Sequence, residues 1–141
     1  MGRKVAREIA MQLLYEWIMG GEGGHYTLEE ISRDKGATIE DYGYIQDIRQ
    51  GVERHLVEID DIIRKYAIGW KFERLAKIDL SILRLAIYEM LYRDDIPAYV
   101  SMNEAVELAK KYSSEGAPSF INGILANFYR NSHEEQGSIR P

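Results

Sequence analysis

The stretch from Phe72 to Tyr92 constrains the fold more than any other part of the chain. Leu75, Ile78, Leu80, Ile82, Leu83, Leu85, Ala86, Tyr88, Leu91 and Tyr92 nearly surround a helical axis, and a helix apolar on most sides must be covered on most sides. No uninterrupted apolar run in the chain approaches the roughly 18–20 residues that cross a bilayer. The segment is therefore expected to be the central helix of a water-soluble domain, and the rest of the chain is expected to supply its cover.

The flanking sequence has the periodicity to do so. Val5, Ala6, Ile9, Ala10, Leu13 and Trp17 recur at helical spacing and predict a first helix from Arg3 to about Met19, ended by the glycine run at 20–24. Thr27 followed by Glu30 is a capping-box pattern for a short second helix that Gly36 closes. A third helix begins near Thr38 or Ile39, carries Tyr44, Ile45, Ile48, Val52 and Leu56, and bends before Val57, Ile59, Ile62, Ile63 and Tyr66; Gly69 and Trp70 mark a break. After the central helix, Asp94-Asp95-Ile96-Pro97 makes a turn, because the residue before proline is pushed out of the helical region. Ser101 with Glu104 reads as another capping box, opening a helix with Ala105, Val106, Leu108, Ala109 and Tyr112 inward. Ser113–Ala117 is a loop, Pro118 fits a first helical turn, and Phe120, Ile121, Ile124, Leu125 and Phe128 face inward on the last helix. No β-alternation and no fixed repeat intervenes. The expectation is an all-α chain of six or seven helices: one domain over residues 1–131 and a disordered polar tail at 132–141.

Composition excludes several functions. With no cysteine among 141 residues there is no disulfide, thiolate metal site or cysteine nucleophile. His25, His55 and His133 are scattered without a second ligand at metal-site spacing, so no metal is expected. Asp60-Asp61 and Asp94-Asp95 are adjacent pairs whose members point to different helix faces, and they are read as caps and solvated charges. No phosphate-cradling P-loop is present, and no serine has a histidine placed to activate it. The reading is a binding protein without a cofactor. The opening residues lack the apolar core of a signal peptide, so a cytoplasmic location is expected.

A formal net charge of -5 argues against a protein that coats nucleic acid by general electrostatics. Any such site must be local. At about 100° per residue, Arg3, Lys4, Arg7 and Tyr15 fall within roughly a 120° arc of the first helix, opposite Val5, Ile9 and Leu13. Guanidinium groups fork onto phosphates and a tyrosine ring offers an unpaired base a stacking platform; a solvated helix face would show the same spacing. Arg7 is expected to project outward, since its neighbours Ala6 and Ala10 are small and point to the core side. Met11 and Ile18 are read as exposed apolar residues, which leaves open a homodimer or an ordinary surface.

The order and content of four blocks resemble the NusB family. They are Ala6-Arg7-Glu8-Ile9-Ala10-Met11-Gln12-Leu13-Leu14-Tyr15, the run Ile78–Leu91 with Asp95-Ile96-Pro97, the run Ser101–Lys110, and Phe120-Ile121-Asn122-Gly123-Ile124-Leu125. The resemblance spans about residues 3–128. It implies two three-helix bundles packed crosswise and a transcription antitermination factor acting with RNA polymerase, chiefly on ribosomal RNA operons. It further implies binding of boxA RNA together with NusE, the small-subunit ribosomal protein. By the same resemblance RNA contacts fall on Arg3, Lys4, Arg7, Tyr15, Ser119 and Phe120, and NusE contacts on Tyr66, Glu73 and Asp79, an acidic patch suited to a basic protein. Arg84 and Asn103 also match, as residues that tie helices together through buried hydrogen bonds. The chain departs from the family in the loop before the last helix, where Gly116 and Ala117 replace an acidic residue and a serine. Two other readings stand beside this one: the NusB-like RNA-binding domain of ribosomal RNA cytosine methyltransferases, and a helical module that binds only protein.

Overall fold

The computed structural model describes residues 2–21 and 36–136, with the side chains of 133–136 left aside. The helix expected from Thr27 and Glu30, and residues 137–141 of the expected tail, lie outside these. Among the described residues every regular element is a helix, and there are no strands: α1 (Arg3–Ile18), α2 (Ile39–Arg54), α3 (Leu56–Tyr66), a 3-10 turn (Phe72–Arg74), α4 (Lys77–Tyr92), α5 (Ala98–Tyr112) and α6 (Ala117–Gln136). The chain divides into two compact units, Met1–Arg54 and His55–Pro141.

In the first unit α1 packs on α2. The end of α1 is written by glycine: Gly20 takes a φ of 87°, and its N–H donates to the Trp17 carbonyl while Gly21 N–H donates to that of Glu16. These are the two bonds of a Schellman stop, which needs a residue without Cβ at the left-handed position. At the start of α2, Thr38 and Asp41 cap each other. Thr38 N–H donates to Asp41 Oδ2 at 2.9 Å and Asp41 N–H to Thr38 Oγ1 at 3.1 Å. The Thr38 N–H, the leading influence, holds the Asp41 carboxyl below the usual carboxylate range.

The helical run breaks at His55, where the sequence predicts a bend. In the second unit α4 is the hub, and every residue from Asp79 to Met90 is buried. Helices α3, α5 and α6 pack on it, and α6 also lies against α3 and α5. Buried polar ties accompany the apolar packing. Arg84 forks onto Asp60 of α3, Nε to Oδ1 and Nη2 to Oδ2, both at 2.9 Å. Ser101 of α5 donates to the fully buried Glu89 at 2.8 Å, and Ser113, just past α5, donates to Asp79.

These ties correct three local readings. Asp60 is a buried ion-pair partner and not a solvated charge. Ser101 does not cap its helix: Pro97 stands at that boundary and the helix starts at Ala98, so Ser101 sits in the first turn with its hydroxyl turned to α4. Arg84 ties helices together as expected, whereas Asn103 is exposed and does not. The last helix runs past Asn131 to Gln136.

Candidate nucleic-acid interface

The basic arc on α1 is closed to solvent at its middle. Lys4 is exposed, Arg3 and Tyr15 are half-buried, but Arg7 is 3% exposed and Met11 fully buried. Helical spacing alone leaves the side opposite Ile9 and Leu13 open. Burial instead covers Ala6, Arg7, Ile9, Ala10, Met11, Leu13 and Leu14, residues on more than one side of the helix. Arg7 therefore does not project outward and Met11 offers no surface for self-association; Ile18 is half-buried. Tyr44 of α2, itself buried, explains part of this. The Arg3 guanidinium lies 4.4 Å from its ring centroid and that of Arg7 5.7 Å, within cation–π range. Arg3 also approaches Glu40 at 3.8 Å, a pair open to solvent and weak.

The second unit carries a different kind of site. A cleft of about 340 Å³ is lined by Trp70, Arg74, Leu75, Ala76, Asp79, Ser114, Gly116, Ala117 and Phe120. Local chain chemistry builds it. Gly69 at a φ of 83° turns the chain after α3, the 3-10 turn sets Arg74 before α4, and the short connection after α5 brings Phe120 into the opening of α6. Trp70 is 61% exposed and meets Phe120 edge to face, with centroids 5.1 Å apart at 61°. Ser119 is exposed beside it in sequence.

The residues expected to face a protein partner differ in exposure. Glu73 is exposed on the 3-10 turn. Tyr66 is buried, with its ring tilted on Phe128 and its hydroxyl accepting from Asn131 at 3.3 Å. Asp79 is also buried and belongs to the cleft, so the expected acidic surface is reduced to Glu73. Sequence reasoning read Trp70 only as a helix break and passed over Arg74. A large aromatic between Gly69 and Lys71, outside any apolar stripe, was the available signal.

Another aromatic cluster lies at the surface of the second unit. His55 stacks on Tyr92, with centroids 4.2 Å apart at 21°, and Tyr92 donates to Glu58. That hydrogen bond, more than burial, pushes the Tyr92 hydroxyl up to about 12. Of the other histidines in the sequence reading, His25 lies outside the described residues. Among the described residues no group of His, Asp or Glu is arranged to hold a metal ion, and no helix is long and apolar enough to cross a membrane.

Comparison with known proteins agrees with this architecture. The model of the NusB family matches residues 4–130. A transcription antitermination protein NusB of Ruminiclostridium cellulolyticum is 52% identical over 126 residues, 89% of this chain and 87% of the relative. That of Acetivibrio thermocellus is 49% identical over 125 residues, 89% of this chain and 86% of the relative. Among solved structures, NusB of T. maritima superposes with a TM-score of 0.81 at 32% identity, covering 92% of each chain. The NusB of a crystal structure of antitermination factors NusB and NusE with dsRNA gives 0.79 at 30% identity, covering 92% of this chain and 96% of that one. With its helices in the order of these structures and its sequence matched from α1 to α6, the chain belongs to the NusB family.

Proposed function

We propose that this chain is a cytoplasmic transcription antitermination factor that binds boxA RNA together with NusE and acts within the RNA polymerase antitermination complex, chiefly on ribosomal RNA operons. It works by binding, with no catalytic step of its own, and residues 1–131 serve as its RNA-binding domain. The observation that carries this reading is the likeness, over nearly the whole chain, to a NusB solved together with NusE and RNA. Two exposed patches have the chemistry for RNA. Arg3 and Lys4 on α1 offer charge to phosphates, with Tyr15 half-buried on the same helix. Trp70 and Phe120, with Ser119 alongside, offer aromatic surface to unpaired bases. Glu73 is the exposed acid available to a basic ribosomal protein. The Gly116 and Ala117 departures lie in the cleft wall itself, where small residues leave the aromatic rings accessible.

Titrating the chain with boxA RNA, alone and with NusE, tests the reading. Two phosphate contacts from Arg3 and Lys4 give a log-log salt slope of about -1.4 from this patch, at about 0.7 per phosphate for a single strand. Trp70→Ala is expected to weaken RNA binding by about 1–3 kcal/mol, the range for one stacked base. Absence of boxA binding with and without NusE would refute the proposal.

Glu73→Lys reverses the exposed charge and is expected to slow NusE association, with the larger effect at low salt, while helical circular dichroism is unchanged. An unaltered association rate would move the NusE surface elsewhere.

A further inference from the structure

Asp79 is 7% exposed and lines the Trp70–Phe120 cleft. An ionised carboxylate only accepts hydrogen bonds, and it has about four lone-pair sites to fill. Ser113 Oγ donates to Oδ1, and Asp79 has no other partner among the described residues. Its remaining acceptor sites are left to whatever enters the cleft, because a buried charge without partners is costly. Arg74, which also lines the cleft, is exposed and its guanidinium has no partner among the described residues. The other contributions are an exposed indole and small or apolar groups. At about 340 Å³ the cleft is at the lower end of the range for small-ligand sites, roughly 300–1,000 Å³.

These groups specify a ligand that is flat, carries adjacent hydrogen-bond donors on one edge and bears a negative charge. We propose that the cleft takes one unpaired guanine nucleotide of the bound RNA, with Asp79 as the residue that reads the base. The guanine N1–H and N2–H donate to the Asp79 carboxylate, the base lies on Trp70, and Arg74 meets the phosphate. Unpaired bases are read in this way, by stacking and by hydrogen bonds to the Watson–Crick edge. Only guanine presents two adjacent donors there. Uracil has one, and the amino groups of adenine and cytosine stand beside an acceptor nitrogen that repels a carboxylate. The edge-to-face contact of Trp70 with Phe120 at 5.1 Å leaves no parallel gap, so the base stacks on Trp70 and does not slide between the rings. An arginine from a protein partner would also suit an aromatic ring and a carboxylate, but the unpartnered Arg74 repels it. The inference rests on the chain being an RNA-binding protein and adds the base and the residue that selects it.

The test follows the Trp70 indole N–H by NMR in the full-length protein, its signal told from that of Trp17 with Trp70→Phe. Each of the four ribonucleoside monophosphates is titrated, and L-argininamide in parallel. Guanosine monophosphate is expected to shift the Trp70 signal with about tenfold higher affinity than the other three, the scale of one good two-point base contact. Asp79→Asn should abolish that preference while residual stacking remains. Ser113→Ala, which leaves the carboxylate in place, should keep it, separating base reading from the structural tie to α5. Arg74→Ala should weaken all four nucleotides together. Equal affinities for the four nucleotides, a guanine preference that survives Asp79→Asn, or a response to L-argininamide alone would overturn the proposal. If no nucleotide shifts Trp70 while boxA RNA still binds the intact chain, this inference fails and the functional reading stands; if boxA RNA does not bind either, both fail.

Discussion

Arg84→Ala is expected to lower the unfolding free energy by about 3–5 kcal/mol, the scale for removing one partner of a buried ion pair. The two side chains are 9% and 10% exposed and joined by two parallel hydrogen bonds of 2.9 Å. Truncation leaves the Asp60 carboxylate buried in the contact between α3 and α4 with no other partner among the described residues. Most of the loss is this stranded charge, not the worth of the pair. The double variant Asp60→Leu/Arg84→Met, which removes both charges and keeps volume, should therefore recover most of the stability, since apolar replacement of a buried pair is often neutral or stabilising. Urea unfolding of the two variants and the unaltered chain measures both effects. A single-variant loss under about 1 kcal/mol would mean that water reaches the pair, as it does at exposed ion pairs.

Arg7→Ala is expected to cost about 2–3 kcal/mol of stability, toward the upper end of what single substitutions do, while changing RNA affinity less than about twofold. The side chain is 3% exposed and lies over the buried Tyr44 ring, so truncation removes packing by its long stem as well as the charge. Arg3, half-buried at the open end of the helix, should show the reverse ranking: a stability change of roughly 0.5 kcal/mol, as at surface positions, and a measurable loss of RNA binding with a shallower salt slope. Unfolding and RNA titration on the same two variants decide the matter. Weakened RNA binding with unchanged stability in Arg7→Ala would return that residue to the interface.

The sequence by itself determined whatever is written over one or two helical turns. The apolar residues around 72–92 made α4 the hub, the glycine after Met19 ended α1 through a left-handed backbone that only a missing Cβ makes easy, and Pro97 set the start of α5. Four blocks of residues in order were enough for the family. Tertiary structure decided which polar residues are covered. Asp60 and Arg84 are 24 residues apart, Asp79 and Ser113 34 apart, and no local periodicity encodes a partner at that separation. The same holds for Arg7 and Met11, whose arc on α1 reads as a polar face until another part of the chain is laid against it. Helical spacing tells which residues share a side of a helix, but whether that side meets water or protein depends on residues far along the chain. For that reason Arg7 leaves the exposed face of α1, where Lys4 stays open, and Trp70 joins Phe120 in one cleft.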